Sequence, residues 1–238
     1  MAVLDIKNIR AGYDEEVDVI KDLSIAVGSK ECVALIGANG AGKSSLLKVL
    51  SGVLKAKEGS VLYKDTEILG LAPHKIVDLG IIQVPEEGGT FASLTIEENL
   101  NISCRRDRAK KQKKENLETV YGFFPVLREK RGDRAGNLSG GQRKMLSIGK
   151  AIMESPDLLL LDDISMGLAP KVVEELYEDL KKLTDTLDIP VIIVEQIVEI
   201  ALDFAQRGYV MTQGEIAIQG TSQELLKNPE VKKLYIGM

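Results

Sequence analysis

Long apolar runs are missing from this chain. The longest, such as Leu158 to Leu161 and Val191 to Val194, fall far short of the roughly 20 residues that cross a bilayer, so no membrane span is expected. The opening residues, Met-Ala-Val-Leu-Asp-Ile-Lys, lack a positively charged start, a long apolar stretch and a small-residue cleavage site; this speaks against a secretory signal and for a cytoplasmic chain. Cysteine is scarce, and Cys32 and Cys104 have no spacing suited to a metal site or a disulfide scaffold. Cys32 opens an apolar strand pattern and is expected in the core. The single histidine, His74 in Leu-Ala-Pro-His-Lys, sits in a helix-start context and reads as a surface residue. Basic excess is absent too. A net charge of -5 argues against nucleic acid as the main partner, because phosphate-backbone binding shows as a basic surface. The local exception, Arg105 to Lys114, reads as a solvated helix face. Neither an internal repeat nor a low-complexity linker is present.

What is present is a chain of 238 residues, 44% hydrophobic and 28% charged, long enough for one sizeable core or a core plus a subdomain. Val3, Leu4, Ile6 and Ile9, then Val19, Ile20, Leu23, Ile25 and Val27, give short segments that predict antiparallel strands. Glu31 to Ile36 predicts a compact strand, Gly37 to Gly42 a glycine-rich turn, and Lys43 to Leu54 a helix. From Thr95 to about Lys130 the pattern is helical and polar, with breaks near Pro125 and Gly132. Strand character returns at Leu158 to Leu161 and at Val191 to Glu195, on either side of an amphipathic stretch through Val172, Val173, Leu176, Leu180 and Leu183. Strand, helix and strand in that order imply a parallel core sheet. Tyr209 to Thr212 and Ile216 to Ile218, around Gln213-Gly214, read as two further strands before a final helix.

Gly37-Ala38-Asn39-Gly40-Ala41-Gly42-Lys43-Ser44 fits G-x-x-x-x-G-K-[ST] in full, between a strand and a helix as that motif requires. Its glycines let backbone N–H groups turn inward around an anion, Lys43 reaches the β- and γ-phosphates, and the Ser44 hydroxyl ligates Mg²⁺. Ser45 follows in the same helix start. Leu158-Leu159-Leu160-Leu161-Asp162 ends a buried-type strand in a carboxylate about 115 residues beyond Lys43. Asp162 there suits Mg²⁺, directly or through water.

A third motif, Leu138-Ser139-Gly140-Gly141-Gln142, resembles the signature of the ATP-binding subunits of ABC transporters. It is a second glycine-rich turn ahead of a helix, suited to a second anion. The resemblance implies an α/β fold of the P-loop NTPase (RecA-like) type: a parallel core sheet, an N-terminal antiparallel β subdomain and an inserted helical subdomain. In that frame residues 1–87 and 151–238 form the nucleotide-binding core and 88–150 the helical signature subdomain. It also implies a head-to-tail dimer, identical or related, in which each ATP lies between Lys43 of one chain and Ser139, Gly140, Gly141 and Gln142 of the other. Tyr13 matches the aromatic that stacks on adenine, with a packing aromatic as the plainer reading. Ser165-Met166-Gly167-Leu168 lies where the family crosses the dimer interface.

The resemblance narrows to subunits serving branched-chain or hydrophobic amino-acid uptake. It does so through Val84-Pro85-Glu86, Leu94-Thr95-Ile96-Glu97-Glu98-Asn99-Leu100, Gly167-Leu168-Ala169-Pro170 and Val194-Glu195-Gln196. Glu86 takes the place of the glutamine that senses Mg²⁺ and the attacking water, with Gln83 as the competing candidate. Four departures stand out. Asp163 replaces the usual water-polarising Glu and is one methylene short, so slower hydrolysis is expected, since misplacement by about 1 Å can cost on the order of 100-fold. Ile164 replaces the usual Pro. Gln196 stands where most members have a switch histidine; its amide donates a hydrogen bond but carries no charge. The subgroup's Gly-Arg after Pro-Glu is here Glu87-Gly88, which bears on docking to a transport subunit. ATP and Mg²⁺ are the implied cofactors, and permease subunits, indirectly a substrate-binding protein, the implied partners. The expected location is peripheral, on the inner face of the cell membrane. Two alternatives stand beside this: a slow or non-hydrolysing ATP clamp, and a DNA-repair-type ATPase. The second is disfavoured because fewer than about 100 residues separate the first and third motifs, too few for a long coiled coil.

Overall fold

A computed structural model describes residues 2–236. In chain order the elements are β1 (Ala2–Ala11), β2 (Ile20–Gly28), β3 (Cys32–Ile36), α1 (Lys43–Leu50), β4 (Ala56–Tyr63), β5 (Thr66–Glu67), α2 (Pro73–Asp78) and β6 (Ile81–Val84). There follow α3 (Ile96–Ile102), α4 (Asp107–Lys111), α5 (Lys113–Phe123), α6 (Pro125–Glu129), α7 (Gly140–Met153), β7 (Leu158–Asp162), α8 (Pro170–Leu187) and β8 (Val191–Glu195). The chain ends with α9 (Val198–Phe204), β9 (Arg207–Thr212), β10 (Glu215–Thr221), α10 (Ser222–Lys227) and α11 (Pro229–Ile236). Two compact units result: residues up to Val77 together with those from Ile189 onward, and Asp78–Asp188.

The first unit holds two sheets. One is antiparallel in the order β2, β1, β4, β5. Leu4 and Ile6 of β1 lie opposite Val27 and Ile25 of β2, and all four are buried, as the alternating sequence predicts. In the other, β3 is flanked by β8 and β9, parallel to both, with β10 antiparallel on β9. Every residue of β3 and of β8 is buried, which is why these strands read as continuous apolar runs. Cys32 lies in this core and His74 is exposed on α2, both as expected.

In the second unit β6 and β7 are parallel, Ile81 opposite Leu158 through Val84 opposite Leu161. Helix α8 buries Val173, Leu176, Leu180 and Leu183, one stripe at helical spacing. Each such leucine contributes about 1.5–3 kcal/mol. Gly149 of α7 lets neighbouring helices come close: a Cβ there would stand 2.9 Å from Val120 and 3.1 Å from Leu100. Helix α1 corrects the sequence reading, which carried it to Leu54. It stops at Leu50 because Gly52 adopts φ +73, where an added Cβ would meet the Leu71 carbonyl oxygen at 2.5 Å. Among the described residues no helix is long and apolar enough to cross a membrane.

Candidate functional site

Strand β3 delivers the chain to a glycine-rich loop at the carboxyl end of a parallel sheet, the edge where α/β folds bind ligands. The loop needs its glycines for different reasons. A Cβ on Gly37 would lie 2.4 Å from the Met211 carbonyl oxygen; Gly42, at φ +105, would meet Met211 Cε at 2.7 Å and the Val19 carbonyl oxygen at 2.8 Å. Gly40 has φ +79 and open space around it, so there the demand is conformational. Ala38, Asn39 and Gly40 are exposed, while Ala41 and Gly42 are buried under the loop. Gly42 precedes α1 without any side-chain cap, so the positive end of the helix dipole faces the loop undiluted. Lys43 is buried, and its ammonium donates to the carbonyls of Gly37 (2.6 Å) and Ala38 (3.1 Å). Ser44 is half-buried and Ser45 buried in the same turn. A cavity of about 250 Å³ lies against this loop, lined by Gly37 to Ala41 and by Val210 to Gln213. Its lining leaves out Lys43, Ser44 and Ser45, so it does not outline the whole cradle, and it is below the roughly 300–1,000 Å³ of a site enclosing a whole small molecule.

Tyr13 follows β1 and is 61% exposed. Its hydroxyl lies 3.2 Å from Ser45 Oγ and accepts from Lys48 Nζ at 3.1 Å. The packing-aromatic reading does not fit so open a ring. Ile36 and Glu195 are paired across β3 and β8, so Gly37 and Gln196 leave the sheet side by side.

The second unit holds the acidic residues. Asp162 ends β7, and both it and Asp163 are buried. Asp163 has φ +44, the left-handed region in which Asp is several-fold enriched. Ile164 follows, fully buried, and lacks the ring with which a proline biases its predecessor toward extended conformations. Burial, and then the charges of Asp163, Asp162 and Glu87, push the Glu86 carboxyl above its ordinary range, with Lys144 opposing. Gln83 instead lies within β6, opposite Leu160. Helix α7 begins at the third motif. Ser139 Oγ accepts from the Gln142 N–H at 3.3 Å and Gln142 Oε1 accepts from the Ser139 N–H at 3.1 Å, a reciprocal cap. Ser139 and Gly140 are exposed, while Gly141 is buried with Val172 Cγ1 only 2.5 Å from where a Cβ would stand.

Known proteins share this fold. A family model described as ABC transporter matches residues 20–165. The chain is 40% identical, over 94% of its length and 96% of the relative's, to the high-affinity branched-chain amino acid transport ATP-binding protein BraG of Pseudomonas aeruginosa. The chain belongs to the ABC transporter family. It is also 35% identical to the probable branched-chain amino acid transport ATP-binding protein LivF of Archaeoglobus fulgidus, over 97% of each chain. An ATP-binding cassette of an ABC transporter, solved in its ADP conformation, superposes with a TM-score of 0.85 at 29% identity, covering all of both chains.

The ABC motif residues thus fall into two sets. Tyr13, the loop from Gly37 to Ser45 and Gln196 come together in the first unit; Glu86, Asp162 and Asp163, and separately Ser139 to Gln142, belong to the second. Sequence reasoning missed several neighbours. Lys144 and Lys150 of α7 donate to the backbone carbonyls of Glu86 and Gly89, fixing the Glu86 loop to the signature helix. Glu195 is completely buried at the end of β8. Its signal was available, since Val191 to Glu195 ends an apolar run in a carboxylate just as Leu158 to Asp162 does.

Proposed function

We propose that this chain binds and hydrolyses ATP as one half of a head-to-tail dimer that energises uptake of branched-chain or other hydrophobic amino acids. One observation carries the reading. The chain has two glycine-rich turns at helix starts, Gly37 to Ser45 before α1 and Ser139 to Gln142 before α7, belonging to different compact units. One chain offers the phosphate cradle and the other the signature turn. BraG and LivF support the substrate class. In this reading permease subunits hold the chain on the inner membrane face, a substrate-binding protein acts through them, and nucleic acid has no part.

Lys43 and the N–H groups of the loop hold the β- and γ-phosphates, and Tyr13 carries the adenine. Ser44 and Asp162 supply a hydroxyl and a carboxylate, hard oxygen donors that suit Mg²⁺, with Glu86 beside Asp162. Mg²⁺ characteristically takes one or two protein carboxylates and completes its shell with phosphates and water. When bound, Mg²⁺ neutralises charge building on the phosphates. Asp163 accepts the proton of the attacking water and Gln196 donates to the γ-phosphate.

The shorter reach of Asp163 favours slow turnover, and a long-lived ATP clamp is the second reading that this residue supports. Asp163→Glu separates the two. Under the first reading the natural chain hydrolyses ATP with Mg²⁺ and Asp163→Glu does so up to about 100-fold faster. An inert natural chain that binds ATP, beside an active Asp163→Glu, favours the clamp. Rapid turnover by the natural chain, undiminished in Asp163→Asn, would remove Asp163 from the chemistry.

A further inference from the structure

An exposed tyrosine is a poor platform unless something fixes it. A free ring loses rotamer freedom when a base stacks on it, and that loss weakens binding. Tyr13 is fixed through its hydroxyl. It accepts from Lys48 Nζ at 3.1 Å and, keeping its own hydrogen, lies 3.2 Å from Ser45 Oγ. Both partners stand on α1, the helix whose first turn carries Lys43 and Ser44. The Lys48 ammonium is 5.4 Å from the ring centre yet 3.1 Å from the hydroxyl. It therefore sits off the hydroxyl edge and does not cover a ring face. Lys48 lies in the last turn of α1, where a cation is favoured by the helix dipole.

We propose that Lys48 is a positioning residue for nucleotide binding: with Ser45 it holds the Tyr13 ring ready for a purine, tying the base platform to the helix that binds the phosphates. The proposal rests on the reading of Tyr13 as that platform. With its hydroxyl engaged on both sides, Tyr13 offers a base only its ring face, which every purine can use. Lys48 therefore affects ATP and GTP alike.

The test is calorimetric titration of the full chain with ATP, GTP and inorganic tripolyphosphate, in the natural protein, Lys48→Met, Lys48→Arg, Tyr13→Ala and the Lys48→Met/Tyr13→Ala pair. Thermal midpoints confirm that each variant is folded. Lys48→Met is expected to weaken ATP and GTP by about five-fold, with Lys48→Arg recovering most of the loss. Tripolyphosphate affinity stays unchanged, because no base is present. The double variant binds ATP no more weakly than Tyr13→Ala alone, since Lys48 acts through the ring. Weakened tripolyphosphate binding in Lys48→Met would overturn the proposal by showing a direct phosphate contact, and additive losses in the double variant would overturn it by showing independence. If Tyr13→Ala leaves ATP binding intact, the platform reading itself fails; a strong Tyr13→Ala effect beside a silent Lys48→Met defeats only the positioning role.

Discussion

At the scale of single residues, chemistry was legible where it is written into local spacing. Gly37, Gly42, Lys43 and Ser44 follow a motif whose geometry is local, and the buried carboxylate of Asp162 ends an apolar run. What could not be read are contacts made by long polar side chains across large sequence distances: Lys48 to Tyr13, Lys144 to Glu86, and Arg207 to Glu31. The left-handed turn at Asp163 has no sequence signal beyond Asp's tolerance for it. The Arg207 contact carries a prediction. Burial alone would raise the Glu31 carboxyl, but hydrogen bonds from Arg207 and from the Gly28 N–H (2.7 Å) outweigh it and hold the group below its ordinary 4.5. Arg207 also reaches Glu31 Oε2 at 3.0 Å and the Tyr209 hydroxyl at 2.6 Å. A carboxyl lowered on folding adds stability above its unfolded pKa and loses it as pH falls through the folded value. Glu31→Gln should therefore cost about 1 kcal/mol at pH 7, modest because solvent reaches the pair. The deficit should shrink steadily below about pH 4.5. Urea midpoints across pH 3–7 check this, and a deficit independent of pH would contradict it.

At the scale of elements, legibility followed burial on both faces. Strands β3, β7 and β8 read clearly because continuous apolar runs have few other uses, and α8 because its stripe is regular. Elements β4, β5 and α9 carry no such signal: β4 buries only Val61 and Tyr63, β5 has two residues and α9 seven, too short for a helical period to declare itself, while of α2 only the start, at Pro73-His74, is legible. The capped start of α3, where Thr95 Oγ1 accepts from the Glu98 N–H and Glu98 from the Thr95 N–H, is a local signal, because Thr and Glu stand three residues apart. Helix α7 joins function to packing, since its first residues form the signature turn and its lysines hold the Glu86 loop. Its entry angle depends on Gly141. Because Val172 is stiff at χ1, Gly141→Ala forces a shift and should cost about 1–3 kcal/mol. ATP hydrolysis should fall as the turn is displaced. Gly140→Ala, whose Cβ would lie 3.3 Å from the flexible Leu168 side chain, should be milder in both respects. Denaturation midpoints and turnover of the pair decide the matter; equal stability of the two variants would refute the packing argument.

For the whole molecule, the fold class was readable because several motifs in a fixed order agree on one architecture, and family membership follows from 40% identity over nearly the full length. What one chain does not contain is a complete site under the proposed mechanism, since the phosphate cradle and the signature turn of the same chain serve different nucleotides. Exposed Met166 and Gly167, just after the buried Asp163 to Ser165 segment, fit a surface that a second copy covers. The most direct test is the Mg²⁺-dependent ATPase rate per mole of chain as a function of protein concentration. A rate per mole that rises with concentration and levels off, and that falls when Ser139→Arg chains are mixed in, is the expected result. A rate per mole that is measurable but constant across the range from monomer to dimer would mean that a single chain is the catalyst, and would contradict the shared site.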